Sequence, residues 1–64
     1  MRLLRLPEVL HRTGMSRSRL YGLKDFPRPV KVGLRAVAWP ENEIDAYIEN
    51  KIADRDARLA EREA

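Results

Sequence analysis

The 64-residue sequence contains no cysteine. Neither a disulfide framework nor a cysteine-ligated zinc site can supply stability, so helix and hairpin packing must suffice. A chain of this length buries only roughly 60% of its unfolded surface and supports one core, which every apolar cluster has to share. Histidine is nearly missing: His11 stands alone, with no cysteine to pair with, and reads as an exposed helix residue. There is no phosphate-binding glycine loop and no metal-ligand spacing, which argues against an enzyme and against any metal or cofactor. No window approaches the roughly 18 consecutive apolar residues of a membrane-spanning helix. The opening MRLLRLPE breaks its leucines at Arg5 and Pro7, too early for a secretion signal. The expectation is a non-enzymatic, cytoplasmic protein without a membrane partner.

What is present is charge, unevenly placed. Residues 1–35 hold nine Lys or Arg against Glu8 and Asp25, a net of +7; residues 36–64 hold four against eight acids, a net of −4. Such a split steers one face toward a polyanion and keeps the other away from it. Nucleic acid is the commonest such partner, with an anionic membrane surface as the rival.

Local signals order the chain. Pro7 suits the first position of a helix, so helix 1 is expected over PEVLHRT, with Val9 and Leu10 inward and Gly14 as its stop. Ser16 is a good N-cap for a second helix, RSRLYGLK, and Met15 with Leu20 has the spacing of a hydrophobic staple. Helix, tight glycine turn, helix is the helix-turn-helix pattern. With Leu20 and Leu23 inward, Ser18, Tyr21 and Gly22 point most nearly outward and Arg17 and Arg19 lie on the flanks.

Pro27 and Pro29 then force an extended run. VKV, a turn at GLR and AVAW read as a two-stranded hairpin with Val30, Val32, Val37 and Trp39 inward. Pro40 is expected to start a third helix, whose Ile44, Tyr47, Ile48 and Ile52 draw an apolar stripe. Beyond it ADRDARLAEREA has only Leu59 as a large apolar residue, with Asp54 and Arg58 placed as an i,i+4 pair. The expected division is therefore a domain over 1–55 and a solvated helical extension over 56–64. The fold class is mainly α with a small β-hairpin: a winged helix-turn-helix of helix, helix, two-stranded wing and helix.

Several weak features agree on nucleic acid. The start of the second helix carries Ser16, Arg17 and Ser18, whose backbone N–H groups can face a phosphate. Arginine is the commonest reader of guanine in the major groove, which makes Arg17 and Arg19 base-contact candidates. Tyr21 is placed to reach a phosphate with its hydroxyl. On the hairpin, Arg28, Lys31 and Arg35 occupy the exposed side and tip, where an arginine can enter a minor groove or clamp a phosphate. Charges on edge strands also discourage pairing between molecules, which accounts for Lys31 better than for the tip.

These residues resemble a family. LRLPEVLHRTGMSRSRLYGL, FPRPVKVGLRAVAW and ENEIDAYIENKIADR are similar to the AlpA family of small phage and prophage regulatory proteins, relatives of the MerR-type winged helix-turn-helix and of phage excisionases. The likeness covers about residues 3–55 and is most specific over Thr13 to Tyr21 and Phe26 to Trp39. It implies a DNA-binding domain whose helix at Arg17 to Tyr21 enters the major groove, with the hairpin from Lys31 to Arg35 as a wing. The chain departs from the family in having only GLKD between Tyr21 and Phe26, which shortens the recognition helix. It also has Gly22 where a larger, commonly basic residue is usual. The function expected is sequence-specific regulation of transcription in a mobile element, with double-stranded DNA as partner and a dimer or tandem copies on it. An excisionase bending DNA beside an integrase is the close alternative. A protein-interaction module using the third helix is the alternative of another class, although Ile48, Ile52 and Leu59 do not sustain a heptad over enough repeats.

Overall fold

A computed structural model describes residues 2–63. In chain order it contains β1 (Leu3–Leu4), α1 (Leu6–Thr13), α2 (Arg17–Gly22), β2 (Val30–Lys31), β3 (Val37–Pro40) and α3 (Glu41–Glu63). The architecture is mainly helical with a three-stranded antiparallel sheet in the order β1-β3-β2, consistent with a winged-helix-like fold.

The first two helices begin and end as their residues dictate. Arg5 stands at the N-cap of α1 and Pro7 lies in its first turn, one position later than expected. Gly14 ends α1 in the left-handed region, φ 69°, and its N–H donates to the Leu10 carbonyl at 2.8 Å. A side chain there would meet no neighbour, so backbone conformation alone requires the glycine. Three residues, Gly14 to Ser16, separate the helices. The Ser16 hydroxyl caps α2 by accepting from the Arg19 N–H at 3.2 Å. Helix α2 is only six residues long, because Leu23 turns extended (φ −79°, ψ 133°) and Lys24 does not continue the helix.

The sheet departs from the expected hairpin in two ways. First, Leu3 and Leu4 form a third strand, with Leu3 opposite Pro40 and Leu4 opposite Trp39. The Glu41 N–H donates to the Arg2 carbonyl at 2.8 Å and extends this edge. Pro40 is accordingly the last residue of β3, and Glu41 is the first of α3. Second, Val30 and Val32 are each 44% exposed and do not join the core. The register sets Val30 opposite Ala38 and Lys31 opposite Val37, so Lys31 shares a face with Val37 and Trp39 and Val30 lies on the other face. Alternation along β2 was legible, but the face that turned inward depended on the pairing.

The core gathers Leu4, Val9, Leu20, Phe26, Trp39 and Ile44, all nearly excluded from solvent. Trp39 is its centre: the ring is fully buried and its Nε1–H donates to the Pro27 carbonyl at 3.0 Å, which satisfies the one polar group of the indole. That bond holds the Phe26–Pro27 segment over the sheet. Phe26 in turn meets Tyr47 of α3 edge-on at 4.7 Å between centroids.

Helix α3 packs Ile44, Tyr47 and Ile48 on this core, while Ile52 remains 45% exposed. It continues to Glu63 with every side chain from Glu49 to Arg62 exposed, so the molecule reaches 52 Å in its longest dimension. The expected Asp54–Arg58 ion pair is absent among the described residues, and Arg58 donates instead from Nε to the Asp54 backbone carbonyl at 3.4 Å.

Candidate nucleic-acid interface

The charge split by sequence half is not the split in space. Arg12 of α1 reaches Glu41 (2.8 Å), Asp45 (3.5 Å) and Glu8 (3.7 Å), and Arg2 reaches Glu8 (3.1 Å) and Glu41 (3.7 Å). The acids opening α3 thus neutralise two of the N-terminal cations and staple α1 to α3. The other pairs are Lys51 with Asp25 (2.7 Å) and Arg55 with Asp56 (3.0 Å). Among the described residues nine cations have no acidic partner: Arg5, Arg17, Arg19, Lys24, Arg28, Lys31, Arg35, Arg58 and Arg62. Five of these, Arg17, Arg19, Arg28, Lys31 and Arg35, lie on α2 and the hairpin, where the sequence placed its candidate contacts.

All eight candidates are exposed: Ser16, Arg17, Ser18, Arg19, Tyr21, Arg28, Lys31 and Arg35. Ser16 spends its hydroxyl on the Arg19 amide, so one N–H at the start of α2 is already satisfied within the protein. The two flanks of α2 look different ways. On one side Tyr21, half exposed, tilts toward Trp39 with centroids 6.4 Å apart, and Tyr21, Arg28 and Pro29 border one shallow depression. That flank leads to the hairpin. On the other side Ser16 and Arg19 line a groove shared with Lys51, Ile52 and Arg55 of α3. Ser18 and Gly22 are exposed, and a Cβ at position 22 would meet nothing, so packing does not demand a glycine there.

The hairpin tip is closed by the Val32 N–H donating to the Ala36 carbonyl at 2.9 Å. Arg35 sits at this tip beside Leu34, which is 94% exposed and was missed as a candidate from sequence. Its position between two glycine-and-arginine neighbours in VGLRA could have found it, because a turn gives an apolar side chain no core to enter. Lys31 lies on the short β2 strand.

Asp25 and Lys51 fix the segment after α2 against α3. Their hydrogen bond holds the Asp25 carboxyl below its ordinary value of 3.8 and lifts the Lys51 ammonium above its ordinary 10.5. The Lys51 ammonium also lies 5.2 Å from the centroid of the Tyr47 ring. No metal-binding group of three His, Cys, Asp or Glu occurs among the described residues, and no described helix is long and apolar enough to cross a membrane.

Comparison with known proteins identifies the family. The family described as prophage CP4-57 regulatory protein (AlpA) matches residues 2–52. The ORF88 protein of Enterobacteria phage P4 is 44% identical over 57 residues, covering 84% of this chain and 65% of its own length. The DNA-binding transcriptional activator AlpA of Escherichia coli K12 is 34% identical over 59 residues, covering 78% of this chain and 84% of its own. The chain thus spans just under two thirds of the phage P4 relative. No solved structure gives a significant match. With the family match running from the residue before β1 through the packed part of α3, the chain belongs to the AlpA family of prophage regulatory proteins.

Proposed function

We propose that this protein binds double-stranded DNA in a sequence-specific way and regulates transcription in a phage, prophage or related mobile element. In this reading α2 enters the major groove, and Arg28, Lys31 and Arg35 of the hairpin rest on the adjacent groove or backbone. The observation that carries it is the set of five exposed cations, none with an acidic partner among the described residues, on α2 and the hairpin. Arg17 and Arg19 supply the base-reading chemistry, since a guanidinium can donate two hydrogen bonds to one guanine edge. Tyr21 supplies a phosphate contact, which positions the helix without reading sequence. The relative named as a DNA-binding transcriptional activator supports the same role. A single winged domain covers a small footprint, so two copies on one site, as a dimer or in tandem, are expected.

Binding measured against a selected DNA site over a salt series is the test. Affinity should fall steeply as salt rises, because each phosphate contact releases counterions. Arg17→Ala should cost roughly 1–3 kcal/mol on the selected site and relax its preference at one position. Arg35→Ala should weaken selected and random DNA alike. A specific complex indifferent to salt would sink the proposal.

A DNA-bending role beside an integrase gains support from Leu34. Bending proteins insert apolar side chains, leucine among them, between base steps, and the hairpin tip offers one almost fully exposed. Circularly permuted DNA fragments report the bend: Leu34→Ser should lose it, whereas a wild-type complex that leaves DNA straight removes the support.

A further inference from the structure

The end of α3 has no part in the core, and the family match stops at residue 52, before most of it. All four basic residues of the C-terminal half, Lys51, Arg55, Arg58 and Arg62, lie on this helix. At about 100° per residue they fall within a sector of roughly 60°. Ile44 and Tyr47, which face the core, lie in or at the margin of the same sector. The direction that α3 turns toward the protein body therefore continues past the body as a line of cations. The acids Asp54, Asp56 and Glu61 point to other sides of the helix, and Ala53, Ala57 and Ala60 to the side opposite the line.

This line adjoins the proposed recognition helix. Lys51 and Arg55 share a groove with Ser16 and Arg19, on the flank of α2 opposite the one that Tyr21 and Arg28 occupy beside the hairpin. A duplex seated on α2 would so have the hairpin to one side and the cationic face of α3 to the other. Lys51 is held by Asp25 and Arg55 by Asp56, whereas Arg58 and Arg62 have no acidic partner among the described residues. From Lys51 to Arg62 the helix rises about 16 Å, enough to follow two or three successive phosphates of one strand.

We infer that the C-terminal part of α3 is a backbone rail, on which Arg58 and Arg62, with Arg55 behind them, contact the phosphates of the DNA strand that flanks α2 on the side away from the hairpin. The inference rests on the DNA-binding reading above. The rail adds affinity without sequence information, because a phosphate is the same at every base pair. It would also enlarge the small footprint of a single winged domain.

The experiment is a salt series on the full chain with Arg58→Gln/Arg62→Gln, beside a control that lowers the charge equally on the opposite face, Ala53→Glu/Ala60→Glu. All four positions are exposed and the new residues are good helix formers, so both variants should fold. For the arginine variant, the slope of log K against log salt should become shallower by about 1.8, and affinity at 0.1 M salt should fall roughly tenfold per lost contact, equally on selected and random DNA. The control should keep the wild-type slope. Equal changes in both variants would reduce the effect to net charge and overturn the rail. Wild-type binding by the arginine variant would also overturn it while leaving the DNA reading intact, and would turn attention to an acidic protein partner for this face. Failure of the wild-type chain to bind any DNA would overturn the DNA reading and the rail together.

Discussion

At the scale of single residues, the two glycines of the helix pair do different work. Gly14 is fixed by its left-handed backbone, so Gly14→Ala should destabilise the fold by about 1–2 kcal/mol despite the open space around it. Gly22 is a helical residue with neither positive φ nor a close neighbour. Gly22→Ala should stabilise by about 0.4–1 kcal/mol, raising the melting temperature by a few degrees. If that variant also keeps its DNA affinity, the backbone at Gly22 makes no close approach to the duplex. Asp25 and Lys51 give a prediction with a direction in pH. A carboxyl held low stabilises the fold above its unfolded value near 3.8, and that contribution is lost as pH falls through the lower folded value. The raised Lys51 contributes fully below 10.5 and loses its share as pH climbs through its higher folded value. The melting difference between wild type and Asp25→Asn should therefore stay flat from about pH 5 to 9, shrink as pH falls below the unfolded value of 3.8, and vanish once pH is below the lowered folded value. It should be small throughout, since both groups face solvent.

At the scale of elements, β1 shows what patterning along the chain could not reveal. Two leucines make no periodicity, and Leu3–Leu4 becomes a strand only because β3 presents a free edge to it. Leu4 is nevertheless buried to 1% exposure, so Leu4→Ala should cost about 2–5 kcal/mol in a denaturant titration. In a domain of this size that is much of the total stability. Val30 reads as a stronger core candidate from sequence, yet Val30→Thr should stay within about 0.5 kcal/mol of wild type because its side chain is largely in water. The contrast between these two variants separates register from composition. The first turn of α2, by comparison, was fully legible: Ser16, Met15 and Leu20 act locally, through a cap and a staple, and need no distant partner.

At the scale of the whole molecule, the acids at the start of α3 organise the field of the protein. Glu41 and Asp45 draw in Arg2 and Arg12, so the cations without an acidic partner among the described residues are Arg5, Lys24, those of α2 and the hairpin, and Arg58 and Arg62 at the far end of α3. Glu41 is also the first residue of α3 and complements its dipole, so one side chain serves both helix and ion pair. Neither the count of +7 nor the count of −4 could anticipate this, since pairs such as Arg12 with Glu41 join residues 29 apart in the chain.

The sequence by itself determined the helix boundaries set by Ser16 and Gly14, a single shared core that takes in Trp39, and the eight exposed candidates from Ser16 to Arg35. These follow from caps, spacing and burial tendency, which act over a few residues. The tertiary structure alone decided that β1 exists, that Val30 and Val32 face water, which arginines are neutralised, and which side of α3 continues beyond the body. Each of these depends on which residues distant in the chain come to lie side by side, and strand register and helix docking are fixed only when the core closes.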